Sequence, residues 1–399
     1  MPSLKHIIKG LFFTVYCVVA LFLIPLSAQE TNDTTAVKTD TTDTKKTILE
    51  LTRSSRKIEG LFTFFQDTVN GSVQMLIEKN QLNKEYIHFV HSLDGVVDVG
   101  HFRGAYKTSK IFEIRKYFNR LEFVSINTAY YFDPENPLSR AESANINAAV
   151  LTTLAISATD DETGAMLLNV DDMFLSESLY QIKPAPNPEA KPGTRFALGS
   201  LNKKKCQYIA LNNYPLNSDV VIKYVYDNPT PMNRGGPGIT DPRAVHIVIQ
   251  HSFIAVPDND YNPRYDDPRV GYFMTQVTDL TSTSNTPYRD LIHRWNLIKK
   301  EPSAPISEPV EPIVFWIENT TPTEFRSAVK EGVLRWNRAF RSAGFKNAIQ
   351  VRIQPDVAGW DAGDIRYNVL RWTSSPRPPF GGYGPSFVNP RSGQILGAD

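Results

Sequence analysis

The sequence holds only two cysteines in 399 residues, Cys17 and Cys206. Cys17 sits inside an apolar N-terminal run, which leaves the folded part of the chain with a single thiol. One thiol forms no intramolecular disulfide, so the fold must rest on its apolar core. An excess of one charge is also missing, since 43 Lys and Arg oppose 42 Asp and Glu for a formal balance of +1. No basic block interleaves with aromatic residues, and the electrostatic footprint of phosphate-backbone binding is therefore absent. Nucleic acid is not an expected partner. Chemistry-bearing motifs are scarce too. There is no His-Glu-x-x-His, no Gly-x-Ser-x-Gly and no glycine-rich phosphate loop following a strand. Zinc hydrolysis within this chain and serine nucleophilic catalysis both lose their usual sequence support, and no catalytic or metal-ligating residue is assigned.

What is present is ordinary globular material: 41% hydrophobic and 21% charged residues, in a length that suits two to three domains. Residues 1–28 read as a cleaved export signal. Lys5 and Lys9 form a positive start, 11–26 is an apolar run shorter than a full span, and Ser27-Ala28-Gln29 offers a cleavage site. A secreted, periplasmic or cell-surface protein with no stable membrane span is expected. Residues 29–48 are dominated by Thr, Asp and Lys, too polar to offset the entropy of ordering, and form a tether.

From Gly60 the pattern is that of short strands at 61–66, 72–78, 86–93, 121–126, 207–211, 220–226 and 244–254. Asn70-Gly71 is a hairpin signal between the first two. Residues 145–158 fit a strand or a short buried helix equally. The economical reading of 49–298 is a β-rich, mostly antiparallel accessory domain or prodomain. Pro302, Pro305, Pro309 and Pro312 predict an extended, polyproline-like linker over 299–312. Thr321-Pro322-Thr323-Glu324 is a capping box with Thr321 at the N-cap, and it predicts one long helix running to Gly344. Phe325, Val329, Val333, Trp336 and Phe340 form its apolar face. Strands follow at 349–353, at 365–372, at 384–388, where Pro385 indicates a sheet edge, and from Gln394. The fold class expected is α+β: a β-rich module followed by an incomplete α/β half-domain, a long helix plus a mixed sheet, over 313–399.

Three clusters invite a metal reading, and each has a plainer account. Glu85, His88 and His91 would share a helix face, but Tyr86 to His91 is aromatic and β-branched, and on a strand residues three apart point to opposite sides. His246 and His251 fail for the same reason. Asp258, Asn259, Asp260 and Asn262 resemble the start of a calcium loop, but Pro263 and Arg269 stand where Gly and Glu belong, and a polar Asx turn accounts for them as well. Asp266, Asp267 and Arg269 beside Tyr272 and Phe273 read either as a turn with Asp–Arg pairing or as a docking element for the next module.

The C-terminal stretch PIVFWIENTTPTEFRSAVKEGVLRWNRAFRSAGF, with IQVRIQP, DIRYNVLRW and GPSFVNPRSGQILGAD, resembles the opening half of a metzincin-type zinc metalloprotease domain. GLFTFF at 60–65, LNVDDMFLSES at 168–178 and DPRVGYF at 267–273 are similar to poorly characterised N-terminal domains that accompany such proteases. In that family the order is helix, strands, a substrate-facing edge strand, one more strand, then a helix with three zinc-binding histidines. The resemblance implies a secreted zinc metallopeptidase of which this chain is the N-terminal portion, with zinc held in the complete protein and none bound here. It also implies that an extended peptide or protein substrate adds to the edge strand, with Tyr383, Gly384, Ser386, Phe387 and Val388 as substrate-binding residues. Tyr383 and Phe387 would be pocket walls, or would pack within the domain. The chain alone is expected to be inactive. A non-catalytic exported binding module is the alternative.

Overall fold

A computed structural model describes residues 46–189, 191–375 and 381–398. The signal and nearly all of the tether lie outside the described residues. The dominant element is one antiparallel sheet of twelve strands: β1 Ser55–Ile58, β2 Thr63–Asp67, β3 Val73–Ile77, β4 Glu85–Asp94, β5 Ala105–Tyr117, β6 Arg120–Ile126, β7 Ala149–Thr159, β8 Met166–Asn169, β9 Ser200–Leu201, β10 Gln207–Asn213, β11 Asn217–Asp227 and β12 Ala244–Ala255. Its order is β1-β2-β3-β8-β7-β6-β5-β4-β12-β11-β9, and β10 also pairs with β11. The sheet curls until its ends nearly meet, giving a barrel-like closure. At the seam the Asn213 amide donates to the Ile58 and Phe62 carbonyls at 2.9 and 2.5 Å, and Leu61 N donates to the Tyr214 carbonyl at 2.8 Å.

Alternation decides the two faces. On β4, Tyr86, His88 and Val90 point inward while Ile87, Phe89 and His91 point outward. The interior holds Phe62, Phe64, Met75, Phe112, Phe123, Phe174, Tyr224 and Phe253, all within 2% of full burial. Each such side chain stabilises the fold by about 1.5–3 kcal/mol. The ion pairs are mostly at the surface, where about 0–1 kcal/mol each is usual, so the core carries the stability. The short helix Asp171–Phe174 inserts Met173 and Phe174 into that interior. Its first residue ties the seam: the Asp171 carboxylate accepts from Ser72 Oγ at 2.5 Å, Val73 N at 2.9 Å and the Tyr208 hydroxyl at 3.0 Å, linking β3 to β10.

Beyond the barrel, β13 Ile313–Ile317 pairs in parallel with β14 Ile349–Ile353 and with β15 Asn368–Leu370. A second small sheet joins β16 Ser386–Val388 to β17 Gln394–Ala398. The expected α+β class is corrected here. The structure is mostly β, with 37% strand and 12% helix, and among the described residues only one helix reaches seven residues, so they contain no long helix on a mixed sheet. The predicted helix breaks into Thr323–Leu334 and Asn337–Ser342. Asn337 explains the break: its amide donates to the Ile349 carbonyl and its oxygen accepts from Ile349 N, both at 2.9 Å, which anchors the second piece to β14. Thr321 does not cap the first piece, because it is buried and Arg326 Nε takes its carbonyl. Gly344, at φ +88°, ends the second piece as the sequence predicts.

Three further differences have local causes. Residues 299–312 are not extended but fold back, with Lys300 N donating to the Glu308 carbonyl and Val310 N to Ile298. Buried Ser307 holds that loop by accepting from Glu301 N. Residues 149–159 are a strand, which resolves the ambiguity at 145–158. The thirteen-residue β5 was not expected from the sequence, because Lys107, Lys110, Glu113, Arg115 and Lys116 dilute its apolar pattern.

Asp171→Ala should lower unfolding stability by about 2–4 kcal/mol, since it leaves the Val73 amide and the Tyr208 hydroxyl without their acceptor. Urea denaturation monitored by tryptophan fluorescence measures this. An unchanged midpoint would show that the seam does not depend on this carboxylate.

Candidate peptide-binding edge and the polar groups behind it

Among the described residues, β16 ladders with β17 alone, and β17 is joined on its far side by a two-residue parallel ladder to Arg294–Trp295. The expected edge strand is therefore found at an edge. The turn from β16 to β17 closes with Asn389 N donating to the Gln394 carbonyl at 2.9 Å. Gly393 is required there: φ is +75°, and a Cβ would lie 2.5 Å from the Ile292 carbonyl oxygen. A register shift between Phe387 and Val388 interrupts the ladder with β17, and the Val388 carbonyl turns to the barrel.

The five residues expected to bind substrate divide into two groups. Tyr383 is 44% exposed and meets Phe102 edge-to-face at 6.1 Å. A Cβ on Gly384 would meet nothing within 4 Å, and Ser386 is half-buried. These three lie along an open stretch. Phe387 instead lies 4.3 Å from Phe89 and joins the outer-face cluster of Ile87, Phe89, Ile111 and Ile254, with Ile365 and Leu396. Its side chain packs against the barrel. Val388 is 9% exposed, and its carbonyl accepts from Ser109 Oγ at 3.4 Å, so the barrel closes this end of the edge.

The same barrel face carries polar groups that sequence reasoning did not single out. Asn217 accepts from Ile365 N and donates to the Gly363 carbonyl, and Tyr214 bonds Asp361. Arg391 pairs with Glu85 at 2.5 Å. Asp219 is completely buried, with Oδ1 accepting from Asn217 at 3.0 Å. Its Oδ2 has no hydrogen-bond partner among the described residues and would lie 3.0 Å from a Cβ at Gly363. The available signal was the polar run Asn217, Ser218 and Asp219 opening a strand whose next residues, Val220 to Ile222, are apolar. A cavity of about 350 Å³ lies nearby, between Leu216, Trp295, Ile313 and Ile395. Two of its polar wall residues are engaged, Arg366 with Asp364 and Asn368 with the Val314 carbonyl and Ala398 N.

Inside the barrel, His88 Nε2 and His251 Nδ1 are 3.0 Å apart, and His251 Nε2 is 2.9 Å from the Tyr224 hydroxyl. Proton counting orients this chain. The Tyr224 hydroxyl donates its one hydrogen to the Phe174 carbonyl at 2.8 Å, so His251 Nε2–H donates to it, and His251 Nδ1 accepts from His88 Nε2–H. His251 is thereby neutral, and burial disfavours a charge on His88, whose Nδ1 has no partner among the described residues. His91, on the outer face, cannot join them, as strand alternation predicts. No group of three or more His, Cys, Asp or Glu among the described residues could hold a metal ion. Around the calcium-like stretch, Asn259 Oδ1 accepts from Tyr261 N, which is the Asx-turn arrangement, and Asp267 pairs with Arg269. Cys206 is buried, and burial raises its thiol pKa, which leaves it unreactive.

Burial sets the titration behaviour. It holds His91 and His251 down at about 3, His101 at about 4, and His88 well below the usual imidazole range. It pushes Asp219 up to about 7. Below pH ~6.5 the unfolded chain takes up protons that the folded histidines refuse, so stability falls on acidification by up to ~1.4 kcal/mol per pH unit for each histidine. Asp219 acts oppositely between pH ~4 and 7, where the folded state holds the extra proton. Four groups outweigh one. The melting temperature should therefore drop steeply from pH 6.5 to 5, and Asp219→Asn should stabilise the protein by about 2–4 kcal/mol at pH 8, with the gain shrinking toward pH 4. A gain independent of pH would show that Asp219 does not titrate in this way.

Residues 105–300, just under half of the chain, match the family described as a domain of unknown function, DUF5117. The match begins at β5, so the barrel also draws β1 to β4 from sequence outside it, and the edge strand lies beyond it. No curated protein and no solved structure matches the chain.

Proposed function

We propose that this chain is the N-terminal portion of a secreted zinc-dependent metalloendopeptidase, in which β16 receives the extended substrate and residues outside those described hold the zinc. The observation that carries this reading is that, among the described residues, β16 ladders with β17 alone, with exposed Gly384 just before it. The order of a helical segment, two strands, an edge strand and a further strand supports it, because the same order leads up to the zinc helix in the family that the sequence resembles. No helix among the described residues is long and apolar enough to cross a membrane.

Ser386 would offer its N–H and C=O to the peptide, whereas Pro385 has no N–H to give. Two such bonds contribute about 0.5–1.5 kcal/mol each, too little for tight binding, so side-chain contacts must add to them. The chain by itself would bind a peptide without cleaving it.

Residues 29–399 should bind a fluorescein-labelled, unstructured Ala-Ser decapeptide, as read by anisotropy, and should not hydrolyse a fluorogenic peptide in the presence of zinc. Ser386→Pro, or N-methylation of the peptide backbone, should abolish binding. Chelator-sensitive hydrolysis, or the absence of saturable binding, would overturn the proposal.

A further inference from the structure

The edge strand does not stand alone, because the barrel runs alongside it. Ser109 on β5 reaches the Val388 carbonyl at one end. Three residues earlier on the same strand, Tyr106 is 42% exposed, with its ring 5.0 Å from Phe89, which in turn lies 4.3 Å from Phe387. Tyr383 meets Phe102 edge-to-face at 6.1 Å, and Phe102 stands four residues before Tyr106, which brings the exposed tyrosine of the edge segment to the start of β5. Resting on the peptide-binding reading, we propose that the barrel supplies the recognition wall of the groove: Tyr106, together with Tyr383, takes a bulky apolar side chain of the extended peptide.

The chemistry of the wall selects the occupant. Among the described residues, Tyr383 meets Phe102, Tyr106 lies on Phe89 beside Phe387, and Ser109 reaches Val388, and none of these barrel groups carries a charge. The nearby Lys107 ammonium is turned onto the Gly100 carbonyl at 2.6 Å, away from a role in choosing an acidic peptide. Tyr106 rests on an apolar base formed by Phe89 and Phe387, an anchored and half-exposed ring of the kind that dominates binding surfaces. It follows that the barrel is not a removable prosegment. Taking it away would remove one wall of the groove and strip the cover from Phe387, Ile365 and Leu396.

Two labelled decapeptides test this with residues 29–399, the Ala-Ser sequence and the same sequence with one central Phe. The Phe peptide should bind about two- to tenfold more tightly, the gain typical of an aromatic pair. Tyr106→Ala should remove most of that preference, Tyr106→Phe should retain it, and Ile209→Ala, exposed elsewhere on the barrel, should leave both affinities unchanged. Equal affinity for the two peptides, or an equal loss of both in Tyr106→Ala, would overturn the inference while the edge strand still binds. Failure of both peptides to bind would overturn the peptide-binding reading itself.

Discussion

Closure of the antiparallel sheet is the constraint on which the other features depend. A strand edge left open exposes a row of unpaired N–H and C=O groups. Here the two ends of the order are tied by Asn213 to the Ile58 and Phe62 carbonyls and by Asp171 between β3 and β10. Closure turns one face of every strand into an enclosed interior. That enclosure is why His88, His251 and Tyr224 must satisfy one another in a directed chain, since no solvent reaches them. The same burial that stabilises the aromatic core holds those imidazoles neutral.

The outer face is the second consequence. Closing the barrel fixes which side chains remain outside, and around β4, β11 and β12 these divide into an apolar half, with Ile87, Phe89 and Ile254, and a polar half, with Asn217 and Asp219. Residues around Asp361 to Ile365 and around Phe387 to Leu396 cover both halves. Phe387 and Leu396 meet the apolar side, and Gly363 and Ile365 meet Asn217. The edge strand thereby acquires a rigid neighbour. A three-residue strand with one ladder partner is a weak element alone, and its conformation is held by the barrel beneath it.

Much of the barrel was legible strand by strand. Tyr86 to Leu93, Val220 to Tyr226 and Ala244 to Ile254 carry dense β-branched and aromatic residues, and their period of two separated His88 from His91 correctly. The edge position of β16 followed from Pro385, which has no N–H for a ladder. Of the strands that escaped notice, β5 is too charged on its wet face and β8 is only four residues long. The helix after Thr321 was read as one piece because periodicity registers a face but not the side-chain bonds of Asn337 that break it. The polyproline reading of 299–312 failed because proline spacing says nothing of a buried serine that folds the loop back.

The sequence by itself determined that the chain carries no disulfide, shows no complete metal-binding motif, and consists largely of short strands alternating between a dry and a wet face. These are local properties, set by residue type and by the two-residue period of a strand. Only the tertiary structure decided that the strands close on themselves, that Asp219 is sealed behind Gly363, and that Phe387 is a packing residue while Tyr106 flanks the groove. Each of these depends on contacts between residues far apart in the chain, such as Phe89 with Phe387. A contact of that kind leaves no trace in the spacing of either partner, because the ring that buries a side chain can come from any distant strand.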